Sequence, residues 1–245
     1  MSTQNPTVVL VHGAFAESAS WNGVIERLYA QGITSVAIAN PLRSLPGDAA
    51  YLRDVITSVD GPVLLVGHSY GGLVISEASA GNEQVLGLVF VSAFVPSPGD
   101  SAFSLSASAP GSTLGEALDT HDLTGGGVEF VIRRSVFRDQ FAADVPVAVA
   151  GLMGATQRPV TESALRDPAQ ASTPGWADRP TWHVFGSDDR NIPVAVLRAG
   201  ADRAGSHGTT EIAGGSHAIS VSQPERVTET IVAAVRALES ADAHA

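Results

Sequence analysis

Pro62-Val63-Leu64-Leu65-Val66-Gly67-His68-Ser69-Tyr70-Gly71-Gly72 decides how this chain is read. A short apolar run leads into Gly-His-Ser-Tyr-Gly, and a helical pattern follows from about Gly72 to Ala80. That order specifies a buried strand, a very tight turn and a helix. The turn holds Ser69 at its apex, with a strained backbone and its hydroxyl standing above the sheet. Gly67 and Gly71 flank it where a Cβ would crowd the strand against the helix. Alone, such a pattern also suits an ordinary Gly/Ser-rich loop. Its context in the rest of the chain separates the two.

Upstream, Thr7–Val11 is a continuous apolar, β-branched run, the mark of a strand buried on both faces. His12-Gly13-Ala14-Phe15 follows as a loop. The spacing of Trp21, Val24, Ile25 and Leu28 predicts a helix from about Ser18 to Gln31, ended by Gly32. Thr34–Ala39 is a second strand and Asp48–Val59 a second helix, started near Pro46 and stopped before Gly61-Pro62. Downstream of Ser69, Val85–Ala93 is a fourth strand.

The alternation then stops until about residue 180. Ser101–Thr113 is low-complexity Ser/Ala/Pro/Gly, and Gly125-Gly126-Gly127 marks a hinge or turn. Short helices are predicted over Glu129–Phe137, over Ala142–Leu152 with an interruption at Pro146, and over Thr161–Leu165. A stretch this long is not plain loop. It predicts a helical cap, with 96–179 inserted into a core formed by 1–95 and 180–245. Alternation resumes with strands at Thr181–Phe185 and Thr209–Ile212 and helices at Pro193–Ala204 and Gln223–Leu238. In the last helix Val227, Ile231, Val232 and Val235 face inward, and Ser240–Ala245 is expected to fray.

The fold class is therefore α/β: about six strands in a mostly parallel sheet, helices on both faces, and a helical insertion. Ligands of such sheets sit at the carboxyl ends of the strands. His12, Ser69, Asp188, Asp189 and His217 all follow a predicted strand, so they converge on one edge.

Composition narrows the chemistry. The formal net charge is −11, which argues against nucleic acid and anionic membrane surfaces. There is no Cys, so disulfides, thiolate metal sites and a Cys nucleophile are excluded. All 14 basic residues are Arg, which removes Schiff-base chemistry and a P-loop lysine. No apolar run approaches the ~20 residues of a bilayer span, and Met1–Thr7 lacks a signal-peptide pattern, so a cytoplasmic location is expected.

A serine hydroxyl at neutral pH needs a base, an acid that orients the base, and donors for the oxyanion it creates. His217 lies in a Gly-rich loop after the last strand and is the candidate base. His207 precedes the same strand, His183 lies within a strand, His244 is in the tail, and His68 is expected to face away from Ser69. Asp188 and Asp189 are both placed to be the acid, with Asp100 a remote third. The oxyanion donors would be the backbone N–H groups of Tyr70 and Ala14, with Phe15 as the fallback. Phe15, His121, Phe137 and Met153 are candidate substrate contacts, and Phe103, Phe130, Phe141 and Leu152 are further apolar pocket candidates that equally suit the insertion's own core.

VLVHGAF at 9–15, GHSYGG at 67–72, FGSDDRNIP at 185–193 and GGSHAISVSQPE at 214–225 together resemble the α/β-hydrolase superfamily along essentially the whole chain. The resemblance implies a Ser-Asp-His triad and maps the acid to Asp189. The HGA loop with Trp21 after it is similar to the plant methyl-esterase and hydroxynitrile-lyase branch and its bacterial esterase relatives. That branch implies a helical cap and small ester substrates. The lyases of the branch use a Lys near the substrate, and this chain has none. Haloalkane dehalogenases and epoxide hydrolases of this fold carry Asp where Ser69 stands. The expectation is a cofactor-free serine hydrolase, monomeric or homodimeric, acting on a small-molecule ester or lactone. Two rivals are a cofactor-free haloperoxidase on the same triad and a non-catalytic ligand-binding protein on this scaffold.

Overall fold

The computed structural model describes residues 5–242. The first half alternates as its apolar pattern predicts. β1 (Thr7–Val11) leads through a 3₁₀ turn at Ser18–Trp21 into α1 (Asn22–Ala30). β2 (Ser35–Ile38), α2 (Leu45–Ser58), β3 (Val63–His68), α3 (Gly71–Ala78) and β4 (Val85–Val91) follow. α2 begins at Leu45, beside the Pro46 expected at its start. The Ser44 hydroxyl accepts from Gly47 N–H at 3.2 Å and Pro46 stands in the first turn, a favourable start for a helix.

Between β4 and the next long strand the chain forms α4 (Ala102–Ser106), α5 (Leu114–Ala117), β5 (Leu118–Asp122), β6 (Val128–Ile132), α6 (Phe137–Phe141), α7 (Val147–Thr156), β7 (Val160–Thr161) and α8 (Glu162–Arg166). It then resumes with β8 (Thr181–Gly186), α9 (Val194–Arg203), β9 (Gly208–Ile212), α10 (Ile219–Ser222) and α11 (Pro224–Asp242). α11 carries Ser240–Asp242 in helix instead of fraying there, while His244 lies outside the described residues.

The main sheet has six strands in the order β2-β1-β3-β4-β8-β9, every pair parallel. Successive side chains of a strand point to opposite faces, which divides the core in two. Val8, Leu10, Leu64 and Val66 pack with Trp21, Val24, Leu28, Val227, Ile231 and Val235 on the α1/α11 face. Val9, Val11, Leu65 and Phe90 pack with Leu52, Ile56 and Leu73 on the α2/α3 face. With both faces covered, the strands read as unbroken apolar runs, and each wholly buried aliphatic side chain contributes roughly 1.5–3 kcal/mol.

The excursion between β4 and β8 is not wholly helical. β5, β6 and β7 form a small antiparallel sheet. The helix expected over Glu129–Phe137 is instead strand β6, an extended β-branched and aromatic run. It forms a hairpin with β5 through the triple-glycine turn, where Gly126 and Gly127 have φ of 90° and 85°. Pro146 does not interrupt a helix over Ala142–Leu152 but stands immediately before α7, where its missing N–H costs nothing. α8 starts on Thr161, whose hydroxyl accepts from Ala164 N–H at 3.2 Å. The low-complexity stretch contains α4, opened by a reciprocal Ser101–Ser104 capping box.

Candidate active site

The carboxyl edge of the main sheet gathers the chemistry. β3 ends at His68, and Ser69 takes φ 56°, a left-handed conformation that a non-glycine residue adopts at a cost. The turn is held by Ser69 N–H to Val91 O at 3.2 Å and by Gly72 and Phe94 N–H to Ser69 O at 3.0 and 3.2 Å. It has no space to spare. A Cβ on Gly67 would stand 2.6 Å from the Gly71 carbonyl oxygen, backbone against backbone. Ser69 thus projects from the sheet edge, buried apart from its approach to the cavity beside it.

β8 and β9 deliver the partners. His217 Nδ1 donates to Asp189 Oδ2 at 2.6 Å, and neither side chain is more than 1% exposed. Asp189 Oδ1 accepts from Asn191 and Ile192 N–H at 2.8 and 2.9 Å, so both carboxylate oxygens are engaged. Asp188 instead points to solvent and accepts only from the Ser187 hydroxyl at 3.0 Å. Asp100 faces Arg203 at 3.7 Å and the Ser97 N–H at 2.9 Å, away from this pair. Ser69 and His217 line one cavity, although no hydrogen bond joins their side chains.

Above Ser69 the backbone N–H groups of Ala14, Phe15 and Tyr70 donate to no acceptor among the described residues. All three residues line the cavity, and Phe15 takes φ 60°. The positive end of α3 adds its field at the same place. Tyr70 is fixed from behind: its hydroxyl donates to Asp48 Oδ2 at 2.8 Å. Burial, then the Asp48 charge, drives the Tyr70 phenol well above its usual range. His12 carries its loop through Asn40 Nδ2–H to His12 O at 2.9 Å, and burial pushes its imidazole down to about 4, so it stays neutral.

The cavity measures about 360 Å³. Its far wall comes from α4, the following Ala107–Ser112 stretch and α5. No Asp, Glu or Arg side chain lines it. Phe94, Phe103, Leu114, Leu118, Leu165 and Ile192 give it an apolar surface.

Of the residues expected to touch substrate, the structure brings Phe15 and Phe103 to this cavity. His121 is not brought there. It lies on the exposed strand β5, whose polar pattern keeps it in solvent. Phe137 is buried against Phe141 and Gly154, and Met153 packs on the same core, so both serve the excursion's interior. Phe141 and Phe130 also belong to that core, and Leu152 is 68% exposed on α7. His207 stands beside Trp182 at the opening of β9, and His183 stacks on Phe90 within the sheet.

Two features escape a reading of the sequence. The Ser/Ala/Pro/Gly tract builds the cavity wall. His68, expected to face away, does not line the cavity but lies beneath His217: its Nε2 is 3.0 Å from the His217 carbonyl oxygen and the two rings are 4.6 Å apart.

The profile of the alpha/beta hydrolase family matches residues 8–230. A pyrethroid hydrolase from Sphingobium wenxiniae is 28% identical over 243 residues, covering 91% of this chain and 85% of its own. Among solved structures, polyneuridine aldehyde esterase superposes with a TM-score of 0.80 at 20% identity, covering 94% of this chain and 98% of its own. A methylesterase from Arabidopsis superposes with a TM-score of 0.79 at 16% identity, covering 94% and 99%. At those identities the structural likenesses speak for the fold. The family match spans almost all of the residues that build the sheet, the elbow at Ser69 and the loops of Asp189 and His217, and the chain belongs to the alpha/beta hydrolase family.

Proposed function

We propose that this protein is a cofactor-free serine hydrolase of small, uncharged carboxylic esters. The observation that carries the proposal is the buried Asp189–His217 pair, bonded at 2.6 Å and facing the cavity into which the strained Ser69 opens. In this reading His217 Nε2 takes the Ser69 proton as Oγ attacks the ester carbonyl. Asp189, bonded at Nδ1, fixes the tautomer that leaves Nε2 free to act as base. The N–H groups of Tyr70 and of Ala14 or Phe15 receive the oxyanion, each such donor contributing about 10²–10³ in turnover. Collapse expels the alcohol with the proton from His217, and a water activated by the same ring then releases the acid and frees Ser69.

The excursion at 96–179 serves as a cap, since its α4–α5 wall closes the cavity above Ser69. The uncharged lining favours neutral acyl and alcohol groups, because a charge would enter without a partner. The pyrethroid hydrolase and esterases among its relatives support ester cleavage. The test is fluorophosphonate labelling with peptide mapping, beside hydrolysis of 4-nitrophenyl esters. A single adduct on Ser69, and loss of both labelling and turnover in a folded Ser69→Ala variant, are expected. Turnover retained by Ser69→Ala overturns the mechanism.

A further inference from the structure

The loop that carries the candidate base is bonded up to the residue before it: Gly214 N–H donates to the Ser187 hydroxyl at 2.9 Å, Gly215 O accepts from Asp188 N–H at 3.0 Å, and the Ser216 hydroxyl donates to Asp144. Ala213-Gly214-Gly215-Ser216-His217 has two glycines, and Gly214 takes φ 73°. Asp189 fixes the His217 ring through Nδ1, but a ring held at one atom still moves with its main chain. The main-chain carbonyl of His217 is held from the other side of the site by His68, 149 positions away in sequence. A carbonyl oxygen only accepts, so the His68 proton is on Nε2 and Nε2–H donates at 3.0 Å. Burial first, and His217 beside it second, hold the His68 imidazole well below its usual range, so the ring is neutral. Its Nδ1 has no partner among the described residues. Phe141 sets its ring edgewise to both imidazoles, at 6.1 Å from His68 and 4.9 Å from His217.

We infer that His68 is a positioning residue: it ties the main chain of the proton-shuttling His217 to the strand end that carries Ser69, so that nucleophile and base share one rigid mount. The inference rests on the serine-hydrolase reading. It predicts that removing the donor costs turnover without costing substrate binding. A displacement on the order of 1 Å in such a pair typically costs about 10²-fold.

Two variants separate positioning from mere packing. His68→Leu fills the space and removes the donor. His68→Gln offers an N–H at the reach of Nε2 but buries an amide oxygen without a partner, so it should melt below His68→Leu. Activity is read as kcat per fluorophosphonate-labelled Ser69. The expected result is a loss of about 10²-fold in kcat with KM nearly unchanged for His68→Leu, and recovery of most of it in the less stable His68→Gln. Wild-type kcat per site in His68→Leu, or no advantage of Gln over Leu, overturns the inference. If the wild-type protein neither labels nor turns over, the hydrolase reading has failed. His68 is then judged by the far-downfield imidazole N–H proton of His217, identified by its loss in Asp189→Asn. Its disappearance in His68→Leu and retention in His68→Gln support positioning, and its persistence in His68→Leu overturns it.

Discussion

Asp189→Asn is the substitution that most sharply tests the chemistry drawn from this site. The side chain keeps its shape, and Oδ1 keeps the two N–H groups of Asn191 and Ile192 at 2.8 and 2.9 Å. Those bonds oblige the new amide to turn its NH₂ toward His217, 2.6 Å from Nδ1. Two donors cannot share that space, so the imidazole must move its proton from Nδ1 to Nε2. The nitrogen that should accept the Ser69 proton is then blocked. A fixed wrong tautomer costs about 10⁴ in kcat, or about 5 kcal/mol of transition-state stabilisation. Folding should survive, since the space is filled and two of the three bonds persist. The measurement is steady-state hydrolysis of a 4-nitrophenyl ester beside the rate of fluorophosphonate labelling at Ser69, and both should fall together. Asp188→Asn is the control. Asp188 is exposed and its carboxylate is bonded only to the Ser187 hydroxyl, so that variant should behave as wild type. Asp189→Asn activity within about tenfold of wild type, or a loss as large in Asp188→Asn, refutes the assignment of Asp189 as the acid.

Three further outcomes follow from packing and burial. Gly67→Ala places a Cβ 2.6 Å from the Gly71 carbonyl oxygen, with backbone on both sides, so it should destabilise by about 1–3 kcal/mol or more and displace Ser69; urea unfolding and ester turnover check it together. Phe103 is 53% exposed at the cavity wall, with the Arg166 guanidinium carbon 4.0 Å from its ring centroid, and Phe103→Ala should shift the acyl-length preference toward longer esters while costing less than about 1 kcal/mol of stability. Burial pushes His183 down to about 4, so between that value and the ordinary 6.5 the unfolded chain binds a proton that the folded chain refuses. Stability from this residue is therefore present above pH 6.5 and is lost as pH falls toward 4, by about 3 kcal/mol. Urea unfolding at pH 7 and pH 4 should show wild type losing that much more than His183→Leu, and parallel losses in the two proteins would refute it.

What the sequence disclosed and what it withheld divide along a physical line. β1, β3, β4 and β8 are buried on both faces, so their residues must be apolar without a break and announce themselves. Ser69 stands out because its turn demands glycine where the chain passes itself at contact distance, and His217 because its Gly-rich loop follows the last strand on the same edge, whereas Asp188 and Asp189 follow the same strand and only the family resemblance separates them. β5 is illegible for the converse reason: Leu118-Asp119-Thr120-His121-Asp122 is mostly exposed, is held by its pairing with β6, and needs no apolar pattern. Mistaking β6 for a helix has the same origin, since without a visible partner strand Val128–Ile132 gives only a short apolar run. The tract from Ser101 to Thr113 misleads in another way. Its Ser, Ala, Pro and Gly residues follow no periodic pattern, so neither α4 nor the cavity wall shows in them. Yet a wall rich in small side chains is what leaves about 360 Å³ open beside Ser69. Low complexity is there a consequence of making space. Substitutions that enlarge side chains along that wall should narrow the range of esters accepted long before they disturb the fold beneath it.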